Sequence, residues 1–352
     1  MLELSLIAIV LVVLVLPMSV NFVERNLEAF LFLMGVLSVS LVHFLGEPLW
    51  SLRLVRESLV EPVMITAAVL VVGLLVFRFK NTITGVIVRV ERALGSKLFC
   101  FVLVIALGIL SSVITAIMAA IILVEVVSAL KLDKDFETKL VVFGCFSIGL
   151  GAALTPIGEP LSTICIAKLR GEPYHADFFF LLRHLGLFVI PGIIATGIVS
   201  YLVEPSVGPV AGQEGLAGKT SETFTGIFVR AGKVYLFIMA LIFLGAGFKP
   251  IIDRYVISLP VQALYWINTV SAVMDNATLT AAEISPKMSL AQIQAVLMGL
   301  LIAGGMLIPG NIPNIVCAGK LGIRSRDWAR IGVPFGFVIM VVYFIVFEIA
   351  NL

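Results

Sequence analysis

Charge is what this sequence has least of. Asp, Glu, Lys and Arg make up only 13% of its 352 residues, where an ordinary soluble chain carries about a quarter, so a water-solvated globular surface is excluded for most of its length. The net charge is only +2, and no Lys/Arg cluster lies beside stacking aromatics, which leaves no argument for a nucleic-acid partner. Cysteine is sparse as well. Cys100, Cys145, Cys165 and Cys317 lie in apolar segments without metal-ligand spacing, so they read as small packing residues and imply no disulfide framework. The three histidines, His43, His175 and His184, fall near the ends of apolar runs, where interfacial placement suits them better than a proton relay. Enzyme signatures are missing too: neither His-Glu-x-x-His nor Gly-x-Ser-x-Gly occurs. Residues 212–220 end in Gly-Lys-Thr like a phosphate-binding loop, but the first required glycine falls at Gln213 and no buried strand precedes it. No enzymatic activity and no organic cofactor are expected.

What is present is apolar surface, at 60% of residues and a mean hydropathy of +1.14. A spanning helix takes about 20 apolar residues, so the chain has room for about ten hydrophobic passes. The expected class is an all-α polytopic membrane protein whose main partner is the lipid bilayer. Met1-Leu2-Glu3 has no basic stretch and no small-residue cleavage site follows the first apolar run, which predicts a retained first helix. Apolar runs at 4–20, 29–45 and 59–77 predict three spans. Residues 78–97 have amphipathic helical spacing and predict a surface connector.

Two kinds of interruption then occur twice. Residues 98–130 are too long for one helix and are punctuated by Gly108 and Ser111-Ser112. Two full spans and a re-entrant hairpin compete here; arms of about 14 to 18 residues favour the hairpin. A helix over 140–169 is broken around Thr155-Pro156-Ile157-Gly158-Glu159-Pro160, and a span follows at 178–202. After a polar connection at 203–232 the plan recurs, with a span at 233–248, a hairpin at 256–285, a broken helix at 289–322 and a last span at 328–349. The sequence matches in register: 111–115 reads like 271–275, and 158–169 aligns without a gap to 310–321. The organisation is thus 1–58 as N-terminal spans, 59–202 as a first repeat, 203–232 as a connection and 233–352 as a second repeat.

An odd number of crossings separates the hairpins, so they enter from opposite faces. That is an inverted-topology repeat, the arrangement that places ion sites between discontinuous helices. The face from which the first hairpin enters carries 16 of the 24 Lys and Arg residues, and the positive-inside rule makes it cytoplasmic. Both termini are then expected outside a cell membrane.

The chemistry is expected where hairpin turns meet helix breaks, because half-helix ends leave N–H and C=O groups unpaired. In the second half the residues are Asp275, Asn276 and Thr278 with Asn311 and Asn314. In the first half they are Ser111, Ser112 and Thr115 with Thr155, Gly158 and Glu159. Their oxygens are hard ligands suited to a small cation such as sodium, and a carboxylate at bilayer depth costs roughly 2.5–3.5 kcal/mol, which makes Asp275 a functional hypothesis by default. The bland alternative is that Gly, Pro, Ser and Asn merely break or pack helices; recurrence in register argues against it. Glu125 and Glu283 also lie in apolar surroundings, where snorkelling or a solvated cleft would accommodate them.

Gly-Ala-Ala-Leu-Thr-Pro-Ile-Gly-Glu-Pro at 151–160, Ser-Ala-Val-Met-Asp-Asn at 271–276 and Gly-Asn-Ile-Pro-Asn at 310–314 resemble the ion transporter superfamily. The likeness is closest to D-type bacterial sodium/proton antiporters and a related uncharacterised prokaryotic membrane-protein family. It covers about 59–349 and implies two inverted repeats, a homodimer with a mobile transport part against a scaffold, and ion or proton binding at Asp275, Asn276 and the 155–159 loop. Where the antiporter pattern has an Asp-Asn pair at the first hairpin, this chain has Thr115-Ala116. The function expected is sodium/proton antiport by alternating access. A sodium-coupled symporter of an organic or inorganic anion is the alternative, and an ion channel a more distant one.

Overall fold

The computed structural model describes residues 2–20, 22–23, 26–60, 62–63, 66–67, 70–71, 74, 78, 90, 93–130, 132–203, 224–251, 254–255, 258–272 and 276–349. Among these no strand forms, and the chain is an all-α membrane protein. Among the described residues, five helices are long and apolar enough to cross a membrane. Most of the expected span at 59–77, the surface connector at 78–97 and the connection at 203–232 lie outside the described residues. So does Asp275.

Helices α1 (Leu2–Ser19) and α2 (Leu27–Leu45) are followed by helical backbone at 52–60. Then come α3 (Ser96–Ile114), α4 (Ala116–Leu130), α5 (Lys134–Ala152), α6 (Pro160–Leu169) and α7 (Phe180–Leu202). The second half holds α8 (Phe224–Ile251), α9 (Val261–Ile267) running into a 3-10 turn at Asn268–Ala272, and α10 (Asn276–Glu283). It ends with α11 (Leu290–Gly304), a 3-10 turn at Ile308–Gly310, α12 (Ile312–Leu321) and α13 (Ser325–Ile349).

Proline explains both helix breaks. A proline has no N–H to give the carbonyl four residues back and clashes with it. Pro156 therefore ends α5 at Ala152, whose carbonyl accepts instead from Ser162 Oγ at 3.3 Å. Pro309 likewise strips the Gly305 carbonyl just past α11, and the indole Nε1 of Trp328 supplies the replacement donor at 3.2 Å.

Other boundaries differ from the sequence reading. The first hairpin does not turn at Ser111-Ser112: α3 runs through both and stops at Thr115, with φ 75° and ψ 149°. The serines stay helical because their hydroxyls bond back to carbonyls three residues earlier, Ser111 to Gly108 and Ser112 to Ile109, each at 2.7 Å. At 19 residues α3 is itself long enough to cross a membrane. α5 begins at Lys134, six residues ahead of the expected start at 140, because Asp133 caps it by accepting from Asp135 N at 3.1 Å. α8 begins at Phe224, well before 233.

Two hydrophobic bodies result. α1, α2 and α8 pack as one group around Ile9, Val13, Leu31, Phe237, Leu244 and Phe248. Close approach is possible because a Cβ on Gly247 would fall 2.1 Å from Ser38 Oγ. α3 to α7 and α9 to α13 share the larger core. The short helices α6 and α10 pack on each other and on α8, contributing Ile164, Ala277 and Ala281 to the smaller body. Reciprocally, α4 of the first half packs on α12 of the second.

The two broken helices run in opposite directions. Lys134 Nζ, at the start of α5, donates to the Leu321 carbonyl at the end of α12 at 2.6 Å. At the other end the Tyr174 hydroxyl, just past α6, donates to the carbonyl of Met288, just before α11.

Candidate functional site

Each break is stitched to the hairpin of its own half. In the first half the Thr155 hydroxyl donates to the Ser112 carbonyl, and Ala116 N, the first amide of α4, donates to the Gly158 carbonyl at 2.8 Å. The Ser111 hydroxyl lies 2.9 Å from the Ile148 carbonyl of α5. Thr115 Oγ1 accepts from Met118 N at 3.3 Å and so caps α4. Gly158 is required there: a Cβ on it would fall 2.0 Å from the Ala152 carbonyl.

The second half repeats part of this pattern in aligned positions. The Ser271 hydroxyl donates to the Leu300 carbonyl at 3.2 Å, as Ser111 meets Ile148. Asn314 Nδ2 donates to the Gly304 carbonyl at 2.8 Å, as Ser162 serves Ala152. Gly310 would bring a Cβ within 2.6 Å of that same Gly304 oxygen, as Gly158 does at Ala152. Glu159 and Asn311 correspond too. Both are buried, both precede a half-helix in extended conformation, and neither side chain caps its own helix. For asparagine that is a departure, since it is among the best N-cap residues. Asn311 instead leans across the halves, its Nδ2 lying 3.0 Å from where a Gly149 Cβ would be.

One exchange between the halves was not visible in the sequence. In the first half Ser147 of α5 donates to the Val104 carbonyl at 2.8 Å, and Gly108 leaves the room for it. In the second half the aligned carbonyl, that of Leu264, is served from within the hairpin by Asn268 Nδ2 at 2.8 Å, and the glycine is on the other side, at Gly299. The same amide nitrogen lies 2.8 Å from Glu283 Oε2. Glu283 ends α10 against Asn268. Lys168, in the last turn of α6, crosses to the same place and donates to the carbonyls of Ala281 and, at 3.0 Å, Ile284. The signal for Lys168 was present in its aligned counterpart Lys320; for Asn268 and Glu283 no spacing announces the pair.

Among the described residues, Asn276 Nδ2 and Asn314 Oδ1 are buried without a hydrogen-bond partner. Both side chains flank Gly304, with Asn276 Nδ2 3.8 Å from where its Cβ would be. Leaving such an atom unsatisfied costs roughly 1–3 kcal/mol, so each calls for an explanation. Of the residues expected at the site, Ser111, Ser112, Thr115, Thr155, Gly158 and Glu159 come together at the first junction, and Asn276, Asn311 and Asn314 at the second. The backbone of Thr278 lies in α10, its side chain outside the described residues, like the whole of Asp275. No group of three or more His, Cys, Asp or Glu side chains suited to a metal ion occurs among the described residues.

The family model described as "Protein of unknown function (DUF1646)" matches residues 3–350. The chain belongs to the DUF1646 family. No curated protein matches it. The match spans both junctions.

Proposed function

We propose that this DUF1646 protein is a secondary active transporter of the cell membrane that exchanges sodium for protons by alternating access. In this reading its halves are inverted-topology repeats, each with a re-entrant hairpin and a broken helix, and two copies form a homodimer. The observation that carries it is the pair of oppositely directed broken helices, each receiving a hairpin serine at an aligned carbonyl and each bridged across its own break at aligned positions. Discontinuous helices related in this way put unpaired backbone groups at mid-depth, where transporters bind ions.

Sodium, as cargo, fits the donor set. Asn314 Oδ1 is a buried oxygen without a donor, and Asn276 and Asn311 stand beside it. Asp275, the residue before Asn276 in the sequence, supplies the carboxylate for which sodium and a proton compete, so that arrival of one releases the other. Glu159 holds the corresponding position in the first half to Asn311 in the second. The ion class is carried by oxygen-rich side chains; the proton by the carboxylates.

The test is sodium-induced proton movement in proteoliposomes. Wild-type protein should move protons on a sodium pulse, and Asp275→Asn should abolish that movement while the protein still inserts and folds. Retention of full exchange by both Asp275→Asn and Glu159→Gln would overturn antiport. A sodium-coupled anion symporter is favoured by one observation: the N-cap side chains Glu159 and Asn311 leave the first amides of α6 and α12 without a side-chain cap, and helix N-termini attract anions. Sodium-dependent anion uptake without proton movement would select that reading.

A further inference from the structure

Glu283, Asn268 and Lys168 form a polar cluster outside both junctions, and the first half shows that packing does not require it. In the register that pairs 111–115 with 271–275, Glu283 answers to Leu123 and Asn268 to Gly108. Leu123 is fully buried and packs over Gly144, where a Cβ would lie 2.6 Å from its Cδ2. One copy of the fold therefore fills this place with an aliphatic side chain, and the other sets a carboxylate in it.

The surroundings suit that carboxylate in two states. Asn268 Nδ2 donates to Glu283 Oε2 at 2.8 Å, while Oδ1 of the same fully buried amide has no hydrogen-bond partner among the described residues. A charged carboxylate takes only donors, whereas a protonated carboxyl group sets a donor beside an acceptor and so complements one edge of an amide. A proton on Glu283 thus answers the orphan oxygen. Lys168 serves the charged state. Its ammonium interacts electrostatically with Glu283 and donates to the carbonyls of Ala281 and Ile284, at a helix end where carbonyl dipoles favour a cation.

A cavity of about 290 Å³ reaches the cluster, with Lys168, Ile284 and Ser285 in its wall. Of the elements packed on α10, α6 brings Lys168 with the Cys165 thiol near it, α8 brings Lys249 to the cavity wall, and α11 has no titratable side chain. Glu57 also borders the cavity, where Arg53 answers it at 2.7 Å.

We propose that Glu283 is a proton-binding site whose proton bonds to Asn268 Oδ1, and that taking up this proton weakens the tie between α6 and α10. The carboxylate gains one proton from water in the cavity, and no other covalent bond changes. α6 begins at Pro160, beside the first break, and α10 at Asn276, in the second junction, so the tie joins the two junctions. Its part in an exchange cycle rests on the antiport reading; the protonation itself does not.

The test uses the full chain in sodium-free lipid vesicles. The infrared difference between about pH 9 and about pH 5 should contain the C=O stretch of a protonated carboxyl group that Glu283→Gln lacks and Glu283→Asp retains at a displaced frequency. Amide hydrogen exchange reads the tie. In the wild type, protection at the end of α10, corrected for the intrinsic rate at each pH, should fall about tenfold from the alkaline to the acid condition, the scale of one charge-assisted hydrogen bond. In Glu283→Gln it should be low in both. Glu283→Leu, which installs the residue of the first half, should give the same two results and stands in if the glutamine variant does not insert. An infrared difference unaltered by loss of the Glu283 carboxyl group, or wild-type alkaline protection in both neutral variants, would each overturn the proposal. Neither measurement requires transport, so wild-type vesicles that move no protons on a sodium pulse would sink antiport and leave this site standing.

Discussion

Thr115 holds a backbone conformation that glycine adopts freely and a β-branched residue does not, with φ 75° and ψ 149°. Residues in such regions carry of the order of 1–3 kcal/mol of strain. The hydroxyl offsets part of it by accepting from Met118 N. Two substitutions separate the contributions. Thr115→Gly should leave the unfolding midpoint at or above that of the wild type, because relieved strain outweighs one cap. Thr115→Val keeps the strain and loses the cap, and should destabilise by about 1 kcal/mol in reversible unfolding. If the valine variant is as stable as the glycine variant, the backbone at 115 is not strained. Gly158→Ala is a sharper case. Its Cβ would stand 2.0 Å from a backbone oxygen, not from a flexible side-chain end, so the first break must deform and the cost should be roughly 2 kcal/mol or more. The polar residues of both junctions were legible because each interrupts an apolar run. The place of the first turn was not. A serine looks the same in sequence whether it breaks a helix or bonds back to it, and here Ser111 and Ser112 bond back.

At the level of helices, the duplication was readable because proline and glycine recur in register and act locally. The Ser147/Gly108 and Asn268/Gly299 exchange was hidden because each pair joins residues far apart in the chain. It yields a test by double-mutant cycle. Gly299→Ser alone places a Cβ 2.6 Å from the Tyr265 carbonyl and 3.0 Å from Asn268 Cβ, which should destabilise by about 1–3 kcal/mol. Adding Asn268→Gly builds the arrangement of the first half into the second, with a serine hydroxyl within reach of the vacated Leu264 carbonyl. The double variant should therefore be more stable than the sum of the single losses predicts, by at least about 0.5 kcal/mol. Additive losses would mean that the two halves solve the same packing problem independently. Asn268→Gly alone also removes the donor to Glu283, so that single variant should cost more than a cavity of its size.

For the whole molecule, the decisive property is direction. Contacts at both ends of the broken helices, Lys134 to Leu321 and Tyr174 to Met288, tie the start of each to the end of the other. If both broken helices cross the bilayer, the link before α5 and the link before α11 must open on opposite faces. By the positive-inside rule the excess of Lys and Arg predicts the first of these in the cytoplasm. The protein is well suited to checking this, because its four native cysteines are all buried and contribute little background. Asp135 and Lys287 are exposed, one in the first turn of α5 and the other just before α11. An impermeant thiol reagent applied to intact cells should therefore label Lys287→Cys and spare Asp135→Cys; inverted membrane vesicles should give the reverse. Labelling of both positions from one side would remove the inverted repeat and, with it, the geometric basis for a shared mid-membrane ion site. Labelling from opposite sides in the other sense would keep the repeat and turn the molecule over.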